Sequence, residues 1–390
     1  MKNPWGEVTG IRPVKIARTM FDAGKTEDDF CNKFINEMKV SEEKTQLTLN
    51  IAVREINILK NFGKNDICLY IGVPFCKTRC LYCSFVTNSA DRNSKYMRPF
   101  IKNLMKEIEY TSALLKKTNY RIVGLYFGGG TPTTLSAMDL KDIITKCYEC
   151  FDLSHLVEFT VEAGRPDTID REKLETLKKC GVTRISINPQ TMNDKILKVI
   201  GRAHTVGDIY ESFKLARECG FDNINMDLIA GLPTETLDEF INSVNLVTEL
   251  SPECVTVHTM SIKRGSVLHE KLGDYALTDR DVVSRMVDYS VNKLIKSDYN
   301  PYYLYRQKHM VGDFENIGYS KVGKECLYNI MIMEETNSII SMGCGGVSKI
   351  VNLPNDRIER VFNVKEVKDY VERIDEMIHR KDIILDWLNL

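Results

Sequence analysis

The chain has 390 residues, 43% hydrophobic and 27% charged, enough to bury a large core and inconsistent with a disordered, collagen-like or fibrous polypeptide. Its length points to roughly two or three units, although a single α/β barrel absorbs about 250 residues. Lys+Arg number 53 against 54 Asp+Glu, a net charge of -1, which argues against an overall polyanion-binding surface and leaves room for a local basic pocket that takes a small acidic ligand. No nucleic-acid partner is expected. No apolar run approaches the roughly 20 residues that span a bilayer, and Met1-Lys2-Asn3-Pro4-Trp5 lacks the charged-then-apolar layout of a secretion signal. A cytoplasmic monomer without a membrane partner is the expectation. The 12 cysteines are spread along the chain, so most are read as reduced thiols and any cluster of them as metal-binding or catalytic.

Residues 1-66 read as a polar, mostly helical segment with an apolar stripe of Leu47, Leu49, Ile51, Val53, Ile56 and Leu59. Pro4 to Gly10 reads like the interior of a chain, so this segment is expected to be the remainder of a longer amino-terminal region. From residue 67, short β-branched runs alternate with longer amphipathic stretches, the pattern of β-α units and a parallel sheet. Strands are expected at Ile67-Ile71, Ile122-Phe127, Val157-Val161, Arg184-Ile187, Asn223-Ile229 and Val255-Thr259. Helices are expected at about 95-117, 137-150, 171-180, 207-219, 236-250 and 279-296. Six repeats predict an open, partial (β/α)6 TIM-like barrel over 67-300, with a doubly wound sheet as the alternative. Residues 301-390 read as a smaller α+β region that covers the substrate. Tyr302, Tyr303 and Tyr305 open it, a hairpin is expected with Tyr328-Glu334 and Ser338-Ser341 as its arms, Gly343-Cys344-Gly345-Gly346 needs tight backbone, and a helical stretch fills 364-380.

In β-α folds the working groups stand just beyond the carboxyl ends of the strands. Every expected strand end here carries distinctive chemistry: Cys76, then Gly128-Gly129-Gly130-Thr131-Pro132, Glu162, Asn188-Pro189-Gln190, Asp227 and His258. A full set points to one site on one face. The glycine run alone is a weak signal, since it lacks the spacing of a dinucleotide or P-loop motif, and His258 reads equally as a satisfied strand-end histidine.

Cys76, Cys80 and Cys83 sit at spacings of four and three. On a helix they would form one buried apolar face, but Gly72 and Pro74 disfavour a helix here and the segment is rich in Lys, Thr and Arg. Closed zinc needs four ligands; His155 is remote, and Cys147 with Cys150 reads as a half-buried helical pair. Three thiolates therefore point to an iron-sulfur cube with one iron left uncovered by protein. The other strand-end groups suit a zwitterionic amino acid joined to a nucleoside. Glycine backbone can approach it closely, Glu162 can hold an ammonium, and Gln190, Arg202 and Asp227 can hold a carboxylate and ribose hydroxyls.

The C-x3-C-x2-C triplet with an aromatic before its last cysteine, followed by Gly-Gly-Gly-Thr-Pro, resembles the radical S-adenosylmethionine (SAM) enzymes. Tyr126 to Thr133, Ile200-Gly201-Arg202-Ala203-His204-Thr205 and Asn225 to Pro233 are similar to the oxygen-independent coproporphyrinogen III oxidase group. Cys80 to Phe85, Ser186 to Asp194 and Tyr303 to Lys308 resemble its coproporphyrinogen dehydrogenase (HemZ) branch. The resemblance covers about residues 67-350 and, more loosely, the start.

The resemblance implies that Cys76, Cys80 and Cys83 ligate a [4Fe-4S] cluster and that Tyr70, Gly129 and Glu162 hold the SAM on its open iron. A second SAM would fall to Tyr82, Gly130, Thr131, Gln190, Arg202 and Asp227. The implied reaction turns two propionates of coproporphyrinogen III into vinyls through a 5′-deoxyadenosyl radical, with flavodoxin or ferredoxin as electron donor, in haem biosynthesis. A tetracarboxylate substrate needs cations, for which Lys263, Arg264, Arg306, Lys308, Lys321 and Lys324 are candidates. Tyr302, Tyr303 and Tyr305 are read as core or interface aromatics, and His309 equally as a haem ligand or an exposed residue. The decarboxylase pattern has a fourth cysteine where Phe85 stands. Related haem-trafficking proteins share Phe at that place, so a haem-binding chaperone is the second reading and a radical methyltransferase that opens the haem ring the third. Cys326-Leu327-Tyr328-Asn329 replaces the chaperone's usual His-Asn pattern.

Overall fold

Strand β1 (Asp66–Val73) exposes no side chain on either face, as expected of a strand at the centre of a parallel sheet covered on both sides. The computed structural model describes residues 3–10, 12–84, 90–307, 314–352 and 357–388. Within it β1 is followed by β2 (Arg121–Gly129), β3 (Glu158–Glu162), β4 (Arg184–Ser186), β5 (Ile224–Ala230) and β6 (Cys254–Thr259). These six pair in parallel in sequence order. Each return passes through helix, as parallel neighbours require. The order has no reversal, so this is the partial (β/α)6 barrel and not the doubly wound sheet that stood as the alternative.

Five more strands extend both edges of this unit. They are β7 (Asn300–Arg306), β8 (Glu315–Ser320), β9 (Ile339–Gly343), β10 (Val347–Asn352) and β11 (Arg357–Phe362). On one side β9 pairs in parallel with β1, from Cys68 opposite Ile339 to Gly72 opposite Gly343, and β10 and β11 follow antiparallel. On the other, β8 lies antiparallel to β6 and β7 antiparallel to β8. Helix Leu327–Glu334 packs against both β2 and β7. It shares a buried cluster with Cys68, Val123, Tyr302 and Tyr303, and so fills the space between the early and late strands.

That helix corrects the hairpin expected at Tyr328-Glu334 and Ser338-Ser341: the first arm is helical, and Ser338 precedes β9. A short, largely apolar run fits a buried strand or a buried helix equally well. What decides is Glu158, whose carboxylate accepts hydrogen bonds from Leu327 N at 2.7 Å and Tyr328 N at 3.2 Å and so satisfies the first turn.

Helices Pro13–Asp22 and Glu42–Leu59 pack on each other and on β7. Their tie to the sheet is polar as well as apolar. Glu315 on β8 accepts from Trp5 Nε1 at 2.7 Å and from Lys44 Nζ at 2.5 Å, with all three side chains buried. Among the described residues, no helix is long and apolar enough to cross a membrane. Changing Glu315→Gln should strand the Lys44 ammonium and cost about 3–5 kcal/mol of stability. Pairing it with Lys44→Met should recover a large part of that loss, as read from denaturant midpoints; equal stability of E315Q and wild type would show that the tie does not hold the segment.

Candidate functional site

The loop that leaves β1 carries the three thiols, and backbone contact with the glycine run after β2 fixes its path. Gly130 N donates to Val73 O at 2.7 Å and Thr131 N to Phe75 O at 2.7 Å. A Cβ on Gly130 would lie 2.5 Å from Phe75 O, so only glycine permits the approach. Gly129 has φ +107°, a conformation glycine adopts freely. Further along, Leu81 N donates to Ile200 O at 3.0 Å and Thr78 Oγ1 to Gly201 O at 2.8 Å. The glycines thus serve backbone packing against the thiol loop.

All twelve residues expected to hold the cluster and SAM line one cavity of about 310 Å³: Cys76, Cys80, Cys83, Tyr70, Tyr82, Gly129, Gly130, Thr131, Glu162, Gln190, Arg202 and Asp227. Among the described residues, no three His, Cys, Asp or Glu side chains gather tightly enough to hold a single metal ion. All three thiols belong to the lining of this one cavity. Cys76 Sγ lies 3.3 Å from Thr131 Oγ1, and burial pushes its thiol up to about 12. Such a thiol ionises only when a metal or cation takes the charge.

Three further residues line the cavity: Gly164, Arg165 and Asn188. Arg165 is buried, with Nη1 3.9 Å from Cys80 Sγ and 2.9 Å from Thr78 O, and Asp167 grips its Nε and Nη2 at 3.0 and 3.2 Å. Arg165 stands three residues past Glu162, so the strand-end rule applied a few positions further would have reached it. Asn188 belongs to a strand-end segment the sequence did flag.

Three residues of this lining carry polar atoms with no partner in the protein. Asn188 Oδ1, Gln190 Oε1 and Arg202 Nε are buried and unpaired, a cost of about 1–3 kcal/mol each unless a ligand or water meets them. Gln190 is held at φ +70°, in the left-handed region, by its N–H to Asp227 O at 2.8 Å and its carbonyl to Ile229 N at 3.0 Å. Few residues other than glycine adopt this region. Arg202 Nη1 donates to Asn188 O at 2.6 Å.

Two carboxylates face the cavity with opposite biases. Burial pushes Glu162 up to about 7, with the Asp227 charge adding to it, against the hydrogen bond from Tyr126 OH at 2.7 Å. Burial also acts upward on Asp227, yet His258, Asn225 and Thr256 hold its carboxyl below the ordinary value. Asn225 Nδ2 donates to Asp227 Oδ1 at 2.7 Å, and His258 Nε2 is 3.7 Å from Oδ2. Tyr305 OH lies 3.4 Å from His258 Nδ1.

A second cavity, of about 180 Å³, adjoins the first through Tyr82, Cys83 and Gln190. His258, Tyr305 and Lys263 line it. Of the cation candidates whose placement is described, Lys263 alone lines either of these cavities. Arg264 is exposed, and Arg306 turns to Val8 O and the Trp5 ring. Lys321 and Lys324 reach Ser251 and Asp222 at the opposite end of the barrel, because β8 runs antiparallel and its end points away from the site. Phe85, Lys308 and His309 lie outside the described residues. Tyr302 and Tyr303 are core residues.

Residues 70–247 match the model of the Radical SAM superfamily. The chain is 39% identical over 97% of its length to the oxygen-independent coproporphyrinogen-III oxidase-like protein HemZ of Bacillus subtilis, of which it covers 76%. It is 31% identical over 79% of its length to the heme chaperone HemW of the same organism, again covering 76% of that protein. The solved structure of coproporphyrinogen III oxidase (HemN) from Escherichia coli superposes with a TM-score of 0.63 at 21% identity, over 84% of this chain and 73% of that one. That last likeness is one of fold.

Glu162 gives a pH test that needs no ligand. A carboxyl raised from 4.5 to about 7 stabilises the fold fully below about pH 4.5, and that contribution is lost as pH rises through about 7. At roughly 1.4 kcal/mol per unit it amounts to on the order of 3–4 kcal/mol. Glu162→Gln should therefore be more stable than wild type at pH 8 and no more stable at pH 4.5, in paired urea titrations. An advantage independent of pH would refute the assignment.

Proposed function

Because the chain belongs to the radical SAM superfamily, in the group of oxygen-independent coproporphyrinogen-III oxidase-like proteins, we propose that it oxidatively decarboxylates propionates of coproporphyrinogen III to vinyls, toward protoporphyrinogen IX. The observation that carries this reading is the single cavity lined by all twelve residues, with a second, cation-bearing cavity opening beside it. The family's cofactors are a [4Fe-4S] cluster and SAM.

In this reading Cys76, Cys80 and Cys83 ligate the cluster, and the high cost of ionising the buried Cys76 thiol is met by iron. When bound, the cluster and SAM supply a carbon radical able to take a hydrogen atom from an unactivated C–H bond. Everything else is positioning by the chain. Glu162, poised near neutrality, is drawn to its charged form by an ammonium, and Tyr126 steadies it. Tyr70 and Gly129 stand against the same wall. Gln190, Arg202 and Asp227, with Tyr82, Gly130 and Thr131, provide polar groups for a second nucleoside-bearing ligand, for which the unpaired Gln190 Oε1 and Arg202 Nε speak. Each round takes one hydrogen atom from the propionate β-carbon, releases CO2 and passes one electron to an acceptor. An electron donor such as flavodoxin or ferredoxin is part of the proposal, as are the cytoplasmic setting and the division at residues 66 and 300.

Relatives named as heme chaperones at 31% identity favour a second reading, in which a tetrapyrrole is bound and handed on without decarboxylation. One assay separates the two. Anaerobically reconstituted protein given dithionite, SAM and coproporphyrinogen III should release 5′-deoxyadenosine and CO2 in equal amounts, and replacing all three cysteines by alanine should abolish both the brown colour and the products. Tight haem binding without CO2 release would favour the chaperone, and colour surviving the triple change would overturn the ligand assignment.

A further inference from the structure

The adjoining cavity of about 180 Å³ is walled by the end of β6, the loop after it, β7 and the thiol loop. Among the described residues its lining includes Lys263 and no carboxylate, so Lys263 brings a cation to this wall although the chain as a whole is close to neutral. The backbone that carries Lys263 is fixed to the thiol loop. Ser266 N and Oγ donate to Lys263 O at 2.9 and 2.7 Å. Arg79 Nη2 donates to Gly265 O at 2.5 Å, and Leu268 N to Leu81 O at 2.8 Å. The segment that carries Lys263 therefore has a set position relative to the thiol loop.

Lys263 is half-buried, and burial together with the nearby Lys365 lowers its proton affinity. An anion arriving there meets a partly desolvated ammonium, where a charge-assisted hydrogen bond is worth more than on the open surface. His258, oriented between Asp227 and Tyr305, adds a second polar edge on the same lining. The cavity is smaller than the roughly 300 Å³ at which pockets enclose whole drug-sized ligands. It suits one carboxylate-bearing arm, presented beside Tyr82 and Cys83.

We propose that this cavity is a carboxylate subsite in which Lys263 grips one acidic arm of the substrate and so sets which neighbouring carbon faces the thiol cavity. The inference rests on the tetrapyrrole reading above and adds to it the residue that selects for the acid.

The test uses anaerobically reconstituted holoprotein with SAM, in wild-type, Lys263→Met and Lys263→Arg forms, each checked for full brown colour. Binding of coproporphyrin III and of its tetramethyl ester is followed by fluorescence quenching. K263M should weaken the tetra-acid by about tenfold or more, the value of one charged hydrogen bond, while K263R stays close to wild type and the ester binds all three alike. In parallel, acylation of lysines is mapped by mass spectrometry with coproporphyrin III or the ring-free acid tricarballylate present; both should protect Lys263. An unchanged tetra-acid affinity in K263M, or an equal loss for acid and ester, overturns the subsite. Porphyrin binding without protection of Lys263 removes the subsite and leaves the tetrapyrrole reading standing. Protection by tricarballylate with no porphyrin binding keeps the subsite and removes that reading, and neither effect removes both.

Discussion

The site depends on one backbone contact, the approach of the Gly128-Gly129-Gly130 segment to the chain leaving β1. With hydrogen bonds of 2.7 Å from Gly130 and Thr131 to Val73 and Phe75, and no room for a Cβ between Gly130 and Phe75, the thiol loop lies directly over the end of the neighbouring strand. Parallel pairing carries that placement along the sheet. From β2 to β3 to β4 each strand end adds its side chain to the same cavity, until Asp227 on β5 completes the wall.

The β-α rhythm was legible because parallel strands buried on both faces read as short apolar runs, and the helices between them show a polar face. The chemistry at the strand ends was legible for the same reason: once the strands are placed, the fold dictates where their ends meet. Other features depended on distant partners. Leu327–Glu334 is helical because Glu158, 169 residues earlier, satisfies its first turn, and nothing local to that run says so. Arg165 was passed over because a lone arginine in a loop resembles any surface charge until Asp167 and Cys80 are seen against it. Two of the cation candidates failed similarly: Lys321 and Lys324 follow a strand whose direction is reversed, and direction is a property of pairing.

Electrostatically the site divides its labour. Glu162 sits near neutrality because burial opposes its charge, whereas Asp227 is kept ionised by His258 and Asn225. Two carboxylates on one wall thus respond differently to the same cation, one being recruited by it and the other already committed. Guanidiniums from Arg165 and Arg202 place positive charge beside the Cys80 thiol.

The clasp formed by Trp5, Lys44 and Glu315 has a reach beyond anchoring the first helices. Glu315 O accepts from Thr259 Oγ1 at 2.8 Å, and the next residue, Asn316, accepts from Thr259 N through its side chain at 2.8 Å. Thr259 and Asn316 both line the smaller cavity. The amino-terminal segment therefore acts as a backing plate for that chamber, and a disturbance at Trp5 is two bonded steps from its inner surface.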